Sequence, residues 1–227
     1  MTNRKLLIAS GTGLTALVVV GALLIFVTPQ DQAVDLQTAS TAIQPEATGD
    51  YELGLNAAFA GDYATAFREF TVAAEEGLSL AQYNLGILYF MGQGVEQDFQ
   101  QAFHWTEAAA QQGHINAQYN LGSLFLEGQG TRQNETLGID WFKSAARAGH
   151  ANAAYALSRM YQEGDPVTAN LVEAHAWAAL ATENQHPEGA ALQDELEQGL
   201  SAEELSQARR QFATWQIEPV PPLPPNR

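Results

Sequence analysis

Residues 81–116 read AQYNLGILYFMGQGVEQDFQQAFHWTEAAAQQGHIN, and residues 117–152 repeat the pattern as AQYNLGSLFLEGQGTRQNETLGIDWFKSAARAGHAN. The two segments share 17 identical residues in 36 positions, and a third, more divergent copy covers residues 153–186. Self-similarity at a fixed spacing is the signature of a repeat protein, in which each unit packs on its neighbours. These stretches therefore decide the fold class.

Each copy predicts two antiparallel helices joined by a glycine-containing turn. The first helix should end before Gly92, because glycine adopts backbone conformations that are costly for other residues. The second should begin near Asp98 and end at Gly113. A single pair cannot bury its apolar stripes, so stacked pairs should share one core. The stripes, at helical spacing, are Ala81, Leu85, Leu88 and Tyr89, then Ala102, Trp105, Ala108 and Ala109.

Equivalent positions carry similar residues in all three copies, which fixes the alignment of the repeats. The matching sets are Leu85, Leu121 and Leu157; Tyr89, Phe125 and Tyr161; Gly92, Gly128 and Gly164; Trp105, Trp141 and Trp177; and Ala109, Ala145 and Ala181. Three glycines of the first copy are replaced in the third, with Ser158 for Gly86, Pro166 for Gly94 and Gln185 for Gly113. A shorter unit, residues 50–80, precedes the first full copy.

The motif A-x-x-x-L-G-x-x-Y/F-x-x-G-x-G, followed by W-x-x-x-A-A-x-x-G-H, resembles the Sel1-like repeat, a relative of the tetratricopeptide repeat. The resemblance covers about residues 50–186. It implies an all-α solenoid of stacked antiparallel helix pairs that serves as a protein-binding scaffold. The full repeats are expected at residues 81–116, 117–152 and 153–186.

An uncharged apolar run of 22 residues, 6–27, follows Arg4 and Lys5. As a helix it would span roughly 33 Å at about 1.5 Å per residue, enough to cross a bilayer core of about 30 Å. We expect an uncleaved transmembrane anchor with residues 1–5 in the cytoplasm. A cleaved secretory signal is the alternative, although the apolar region of such signals usually has about 7–15 residues.

The charges predict where the rest of the chain lies. After Lys5 no basic residue occurs before Arg68, so the positive-inside bias places the repeat domain on the periplasmic side of a bacterial inner membrane. Residues 28–49 should be a flexible linker. The whole chain has a formal charge of −16, and without Arg4 and Lys5 the value is −18. This charge disfavours nucleic acid and favours a basic partner.

Two helices, within residues 187–217, should cap the C-terminal end of the array. The second opens with Ser201-Ala202-Glu203-Glu204, the pattern of a capping box. Residues 218–227 are rich in proline and are expected to be a disordered tail, with a ligand for a proline-reading groove as the alternative.

No catalytic residue, cofactor or metal site is predicted. His114, His150 and His186 share one repeat position, but equivalent positions of stacked helix pairs lie roughly 10 Å apart, whereas metal ligands stand about 2.0–2.1 Å from one ion. A role in the turn is favoured for these histidines. The chain has no cysteine, the Gly-Gln-Gly segments lack the ending of a phosphate loop, and no nucleophile motif such as G-x-S-x-G occurs.

A second stripe occupies positions 3, 7 and 10 of each first helix. In tetratricopeptide-type arrays the first helices line the concave surface, so the resemblance implies that this stripe is partly exposed and binds a partner protein or peptide. The alternative is that its tyrosines pack between neighbouring first helices. We call these residues the first-helix stripe: Tyr83, Ile87, Phe90, Tyr119, Ser123, Leu126, Tyr155, Arg159 and Gln162.

Two functions remain open on the sequence alone. The first is a membrane-anchored interaction scaffold of the cell envelope, which the resemblance implies. The second is a cell-envelope hydrolase built on the same repeats. We expect the scaffold, because the repeats occupy most of the chain and no catalytic motif appears in it.

Overall fold

The computed structural model describes residues 16–20, 23–27, 50–218 and 223–224. The chain divides into two compact units, residues 1–45 and 46–227. In the first unit, strands β1 (Ala16–Val20) and β2 (Leu23–Val27) pair antiparallel, with Ala16 opposite Val27. The prediction of one continuous helix over residues 6–27 is therefore wrong for these residues. Both segments are rich in β-branched valine and isoleucine, which favour extended backbone.

The second unit is built of helices. They form antiparallel pairs that follow one another along the chain. Each helix mainly contacts the helices before and after it, except the last, which packs on the helix two before it. Their bounds are α1 Tyr51–Phe59, α2 Tyr63–Glu75, α3 Ser79–Met91, α4 Phe99–Gln111, α5 Ile115–Glu127, α6 Glu135–Arg147, α7 Ala151–Glu163, α8 Leu171–Glu183, α9 Gly189–Glu197 and α10 Ala202–Ile217. This confirms the predicted all-helical repeat architecture.

The geometry of the turn inside the first full repeat requires glycine at two positions. Gly92 ends α3 in the left-handed conformation, with φ 66°. The Asp98 N–H then donates to the Tyr89 carbonyl at 3.0 Å, and the Asp98 carboxylate accepts from the first turn of α4. Gly94 lies against the start of α2, where a Cβ atom would stand 2.1 Å from the Tyr63 carbonyl oxygen. A side chain at Gly94 would therefore force the turn away from the preceding repeat.

Most of the predicted core positions are buried, whereas Tyr89, Trp105 and Ala108 are only partly buried. Leu85, Leu121 and Leu157 are fully buried, and Trp141 is 1% exposed, packed with residues of three successive helices. In the third copy, two of the residues that replace glycines are accommodated without a change of fold. Ser158 is buried and donates to the Ala174 carbonyl at 2.8 Å, and Gln185 keeps the positive φ of the glycine that it replaces.

The last two helices cap the array on α8. The Trp215 ring of α10 lies on the Trp177 ring at 4.1 Å, and the Arg147 guanidinium donates to the Trp215 carbonyl at 3.2 Å. The predicted capping box is present, since the Ser201 and Glu204 side chains each bond the other's backbone N–H. These contacts place α10 across α6 and α8.

Several expectations lie outside the described residues. They include the helical start of the apolar run at residues 6–15, the linker at 28–49, and most of the proline-rich tail. Among the helices that are described, none combines the length and the apolar character needed to cross a membrane.

Candidate protein-interaction surface

The structure buries much of the first-helix stripe. Tyr83, Phe90, Tyr119 and Ser123 are each less than a tenth exposed, so the expected partial exposure is wrong for these four. The histidine rings that precede the next first helix cover Tyr83 and Tyr119, and Phe90 packs edge-on against Phe99 of its own repeat. Five members remain partly accessible: Ile87, Leu126, Tyr155, Arg159 and Gln162.

The tyrosines of the stripe make the same contact in each repeat. The Tyr83 ring stacks on His114 with 4.4 Å between centroids, and the Tyr155 ring stacks on His186 at 4.1 Å. His114 immediately precedes α5, the first helix of the following repeat, and His186 lies three residues before α9 of the cap. The tyrosines therefore pack between repeats, as the alternative interpretation of the sequence held.

The three repeated histidines have the turn role expected for them. His114 Nδ1 accepts from the Ala117 N–H at 3.2 Å and His150 Nδ1 accepts from the Ala153 N–H at 3.1 Å, so each caps a first helix. His186 accepts in the same way from the Glu188 N–H. Within the part of the chain that the structure describes, no group of three or more His, Asp or Glu side chains is placed to hold a metal ion.

The accessible end of the stripe is polar and lies beside α9. The Tyr155 hydroxyl donates to Glu188 Oε2 at 2.8 Å, and Gln162 Nε2 donates to Glu195 Oε1 at 2.9 Å. Arg159 forms an ion pair with Glu163 one turn further along α7. Tyr155 and Gln162 thus link the last full repeat to the cap, whereas the ion pair of Arg159 lies within α7.

Burial also sets the ionisation of groups near the stripe. It raises the pKa of Tyr119 to about 12, with the Glu127 carboxylate adding to the effect. Burial likewise raises the pKa of Glu127 itself and lowers the pKa of His186. At neutral pH the Tyr119 phenol is therefore uncharged.

A polar cluster in the cap was not predicted from the sequence. His175 is buried in α8, and its Nε2 lies 3.1 Å from Glu197 Oε1, which also accepts from Arg209 at 3.2 Å. The repeat alignment carried the signal, because the equivalent positions in α4 and α6 are Phe103 and Ile139. A histidine at a position that is apolar in the two earlier repeats indicates that the interface between α8 and the cap differs from the earlier interfaces.

The sequence matches the Sel1 repeat family three times, at residues 79–114, 115–150 and 151–186. Each match starts two residues before the predicted repeat. No curated protein matches the chain.

Two solved structures share the fold. One is c5321, a protective antigen present in uropathogenic Escherichia coli strains and displaying an SLR fold. It is 33% identical, with a TM-score of 0.60, over 66% of this chain and 32% of the other. The second is a Sel1 repeat protein from Oxalobacter formigenes, 29% identical, with a TM-score of 0.59, over 63% of this chain and 59% of the other. The chain thus spans about a third and about three fifths of the lengths of these two proteins.

Proposed function

We propose that this chain is a scaffold that binds another protein or peptide on its helical array. The proposal follows from its Sel1-like repeats. The observation that carries the proposal is the in-register recurrence of first-helix side chains along three stacked repeats. Each repeat keeps at least one of them partly accessible, namely Ile87, Leu126 and Arg159. Stacked repeats of this kind offer an extended surface to a partner. The proposed role is binding without a catalytic step.

The proposed partner is basic. From residue 28 onward the chain carries a formal charge of −18, which is the whole-chain value of −16 less the two positive charges of Arg4 and Lys5. Exposed Glu127 and Glu163 end the first helices of two successive repeats, next to the accessible part of the stripe. Complementary charge would speed the encounter with a basic segment and disfavour acidic competitors.

A site-specific crosslink tests the binding surface. A photoreactive amino acid in place of Gln162 should form a discrete adduct with one basic protein, whereas the same amino acid in place of the exposed Gln100 of α4 should not. Glu127→Gln should reduce adduct formation from position 162, because it removes a charge that attracts a basic partner. Glu96→Gln, in an exposed turn of an earlier repeat, should leave it unchanged. Equal crosslinking from both positions would mean that the stripe is not the binding surface.

We further propose that the scaffold belongs to the cell envelope and is held by its N-terminal segment. The support is the uncharged run over residues 6–27 behind Arg4 and Lys5. In a bilayer such a segment would be helical, because a helix satisfies its own backbone hydrogen bonds in the absence of water.

Two measurements test this attachment. A reporter that is active only outside the cytoplasm, fused after Arg227, should be active. The N-terminal sequence of the membrane-extracted protein should begin at Met1 or Thr2. A soluble protein that begins after residue 28 would contradict the anchor.

A further inference from the structure

The last interface of the array is polar at a position where the earlier ones are apolar. In the earlier interfaces the Phe67 ring meets Tyr89 at 5.4 Å, and the Phe103 ring meets Phe125 at 5.2 Å. The equivalent pair in the cap is His175 and Glu197, bonded at 3.1 Å. Gln193 likewise stands 36 residues after the buried Leu157. The cap thus places polar groups at positions that form the core elsewhere.

His175 is not polar merely because it lies at the solvent-exposed end of the array. Its side chain is 1% exposed, and its Nδ1 has no hydrogen-bond partner among the described residues. A buried polar group without a partner lowers stability, so such a group calls for an explanation. His175 therefore sets this interface apart from the apolar core positions of the earlier repeats.

A cleft of about 310 Å³ opens beside His175, between α8, α9 and α10. That volume is near the lower end of the range of roughly 300–1,000 Å³ for small-molecule sites. We call it the cap cleft. Its lining residues are His175, Ala179, Thr182, Glu183, Gln193, Arg209 and Phe212.

The cap cleft has one charge of each sign, at opposite ends of α8. Arg209 is at the His175 end, because both side chains bond the same oxygen of Glu197. Glu183 is at the other end, eight residues later, which corresponds to about 12 Å of helix. Thr182 and Gln193 lie between the ends and are hydrogen-bonded to each other. Phe212 adds an apolar wall.

We propose that the cap cleft binds a short linear peptide with free ends, its carboxylate on Arg209 and its ammonium group near Glu183. Arg209 gives Glu197 only one of its nitrogens, which leaves further donors for a carboxylate. An extended peptide of three residues spans about 10 Å, close to the roughly 12 Å of helix between His175 and Glu183. Glu183 Oε2 accepts from Gln216 Nε2, which leaves Oε1 for an ammonium group. A free amino acid is too short to reach both. This site is separate from the first-helix stripe and does not depend on the proposed scaffold function.

Titration calorimetry on the full chain in detergent, with trialanine as the probe, tests the proposal. Trialanine should bind, and alanine should bind much more weakly. Amidation of the C-terminus and acetylation of the N-terminus should each weaken binding about tenfold, since each removes one charged contact. The acetylated probe also represents the C-terminus of a longer protein. If it binds as well as trialanine, the free-ended peptide is wrong.

Two variants assign the ends. Arg209→Gln should abolish the difference between trialanine and its amide, and Glu183→Gln should abolish the difference between trialanine and its acetylated form. Arg210→Gln, at an exposed neighbour outside the cleft, should change neither ratio. These ratios do not report on stability, so a loosened cap would not imitate the result. Absence of trialanine binding at millimolar concentration would overturn the proposal.

Discussion

The ring of Tyr119 lies flat on the ring of His150, with 4.4 Å between centroids and 15° between planes. The tyrosine belongs to α5, and the histidine caps α7, the first helix of the following repeat. The tyrosine at position 3 of one first helix therefore contacts the histidine that caps the next first helix. The same contact recurs in Tyr83–His114 and Tyr155–His186.

His150→Ala should lower the free energy of unfolding by about 1–2 kcal/mol, because it removes a helix cap and a ring contact. His150→Asn should retain more stability, since asparagine can still accept from the Ala153 N–H. Chemical denaturation of both variants measures the difference. If the two variants lose the same amount, the cap contributes nothing.

Trp141→Ala should lower the free energy of unfolding by about 3–5 kcal/mol, the usual range for a large buried aromatic residue. Trp141 is 1% exposed in the middle of the array, whereas Trp105 is only partly buried, so Trp105→Ala should cost less. Urea denaturation of the two variants provides the comparison. An unchanged midpoint for Trp141→Ala would mean that the helix faces are wrongly assigned.

Gly130→Ala should destabilise the array much more than Gly113→Ala. Both glycines have positive φ, and left-handed backbone costs alanine about 1–2 kcal/mol at either site. At Gly130 the added Cβ would also stand 1.8 Å from the Phe99 carbonyl oxygen, whereas at Gly113 it would meet nothing within 4 Å. Comparing the melting temperatures of the two variants separates the cost of left-handed backbone from the cost of the steric clash with Phe99. Equal losses would show that the turn can shift freely away from α4.

The pH dependence of stability should include a contribution from His186. Burial lowers the pKa of His186 in the folded state, and the opposing effect of the Glu188 carboxylate is smaller. The unfolded chain then binds the proton more readily, so stability is retained above the ordinary histidine pKa of about 6.5 and is lost as the pH falls below it. Between pH 7.5 and 5, the free energy of unfolding should fall more for the native protein than for His186→Asn. Parallel curves would contradict this contribution.

Much of the fold could be predicted from the sequence, because local chemistry repeats at a fixed spacing. The apolar stripes gave the helix faces, the glycines gave the turns, and Ser201 with Glu204 gave the start of the last helix. Each of these signals acts within a few residues of the chain. The pattern failed at residues 16–20 and 23–27, where an apolar sequence that contains several β-branched residues suits a strand as well as a helix.

The sequence by itself determined the helical repeat, its spacing and the turn role of the histidines. Only the tertiary structure decided which members of the first-helix stripe are accessible, because burial depends on how closely the next unit stacks. It buried Tyr119 against His150 and left Leu126 partly open, although both share one helix face. It also brought together His175, Glu197 and Arg209, which belong to three helices and are joined by no local pattern. Helix periodicity is set by neighbours along the chain, whereas a surface or a cleft is set by side chains that meet only after the helices have packed.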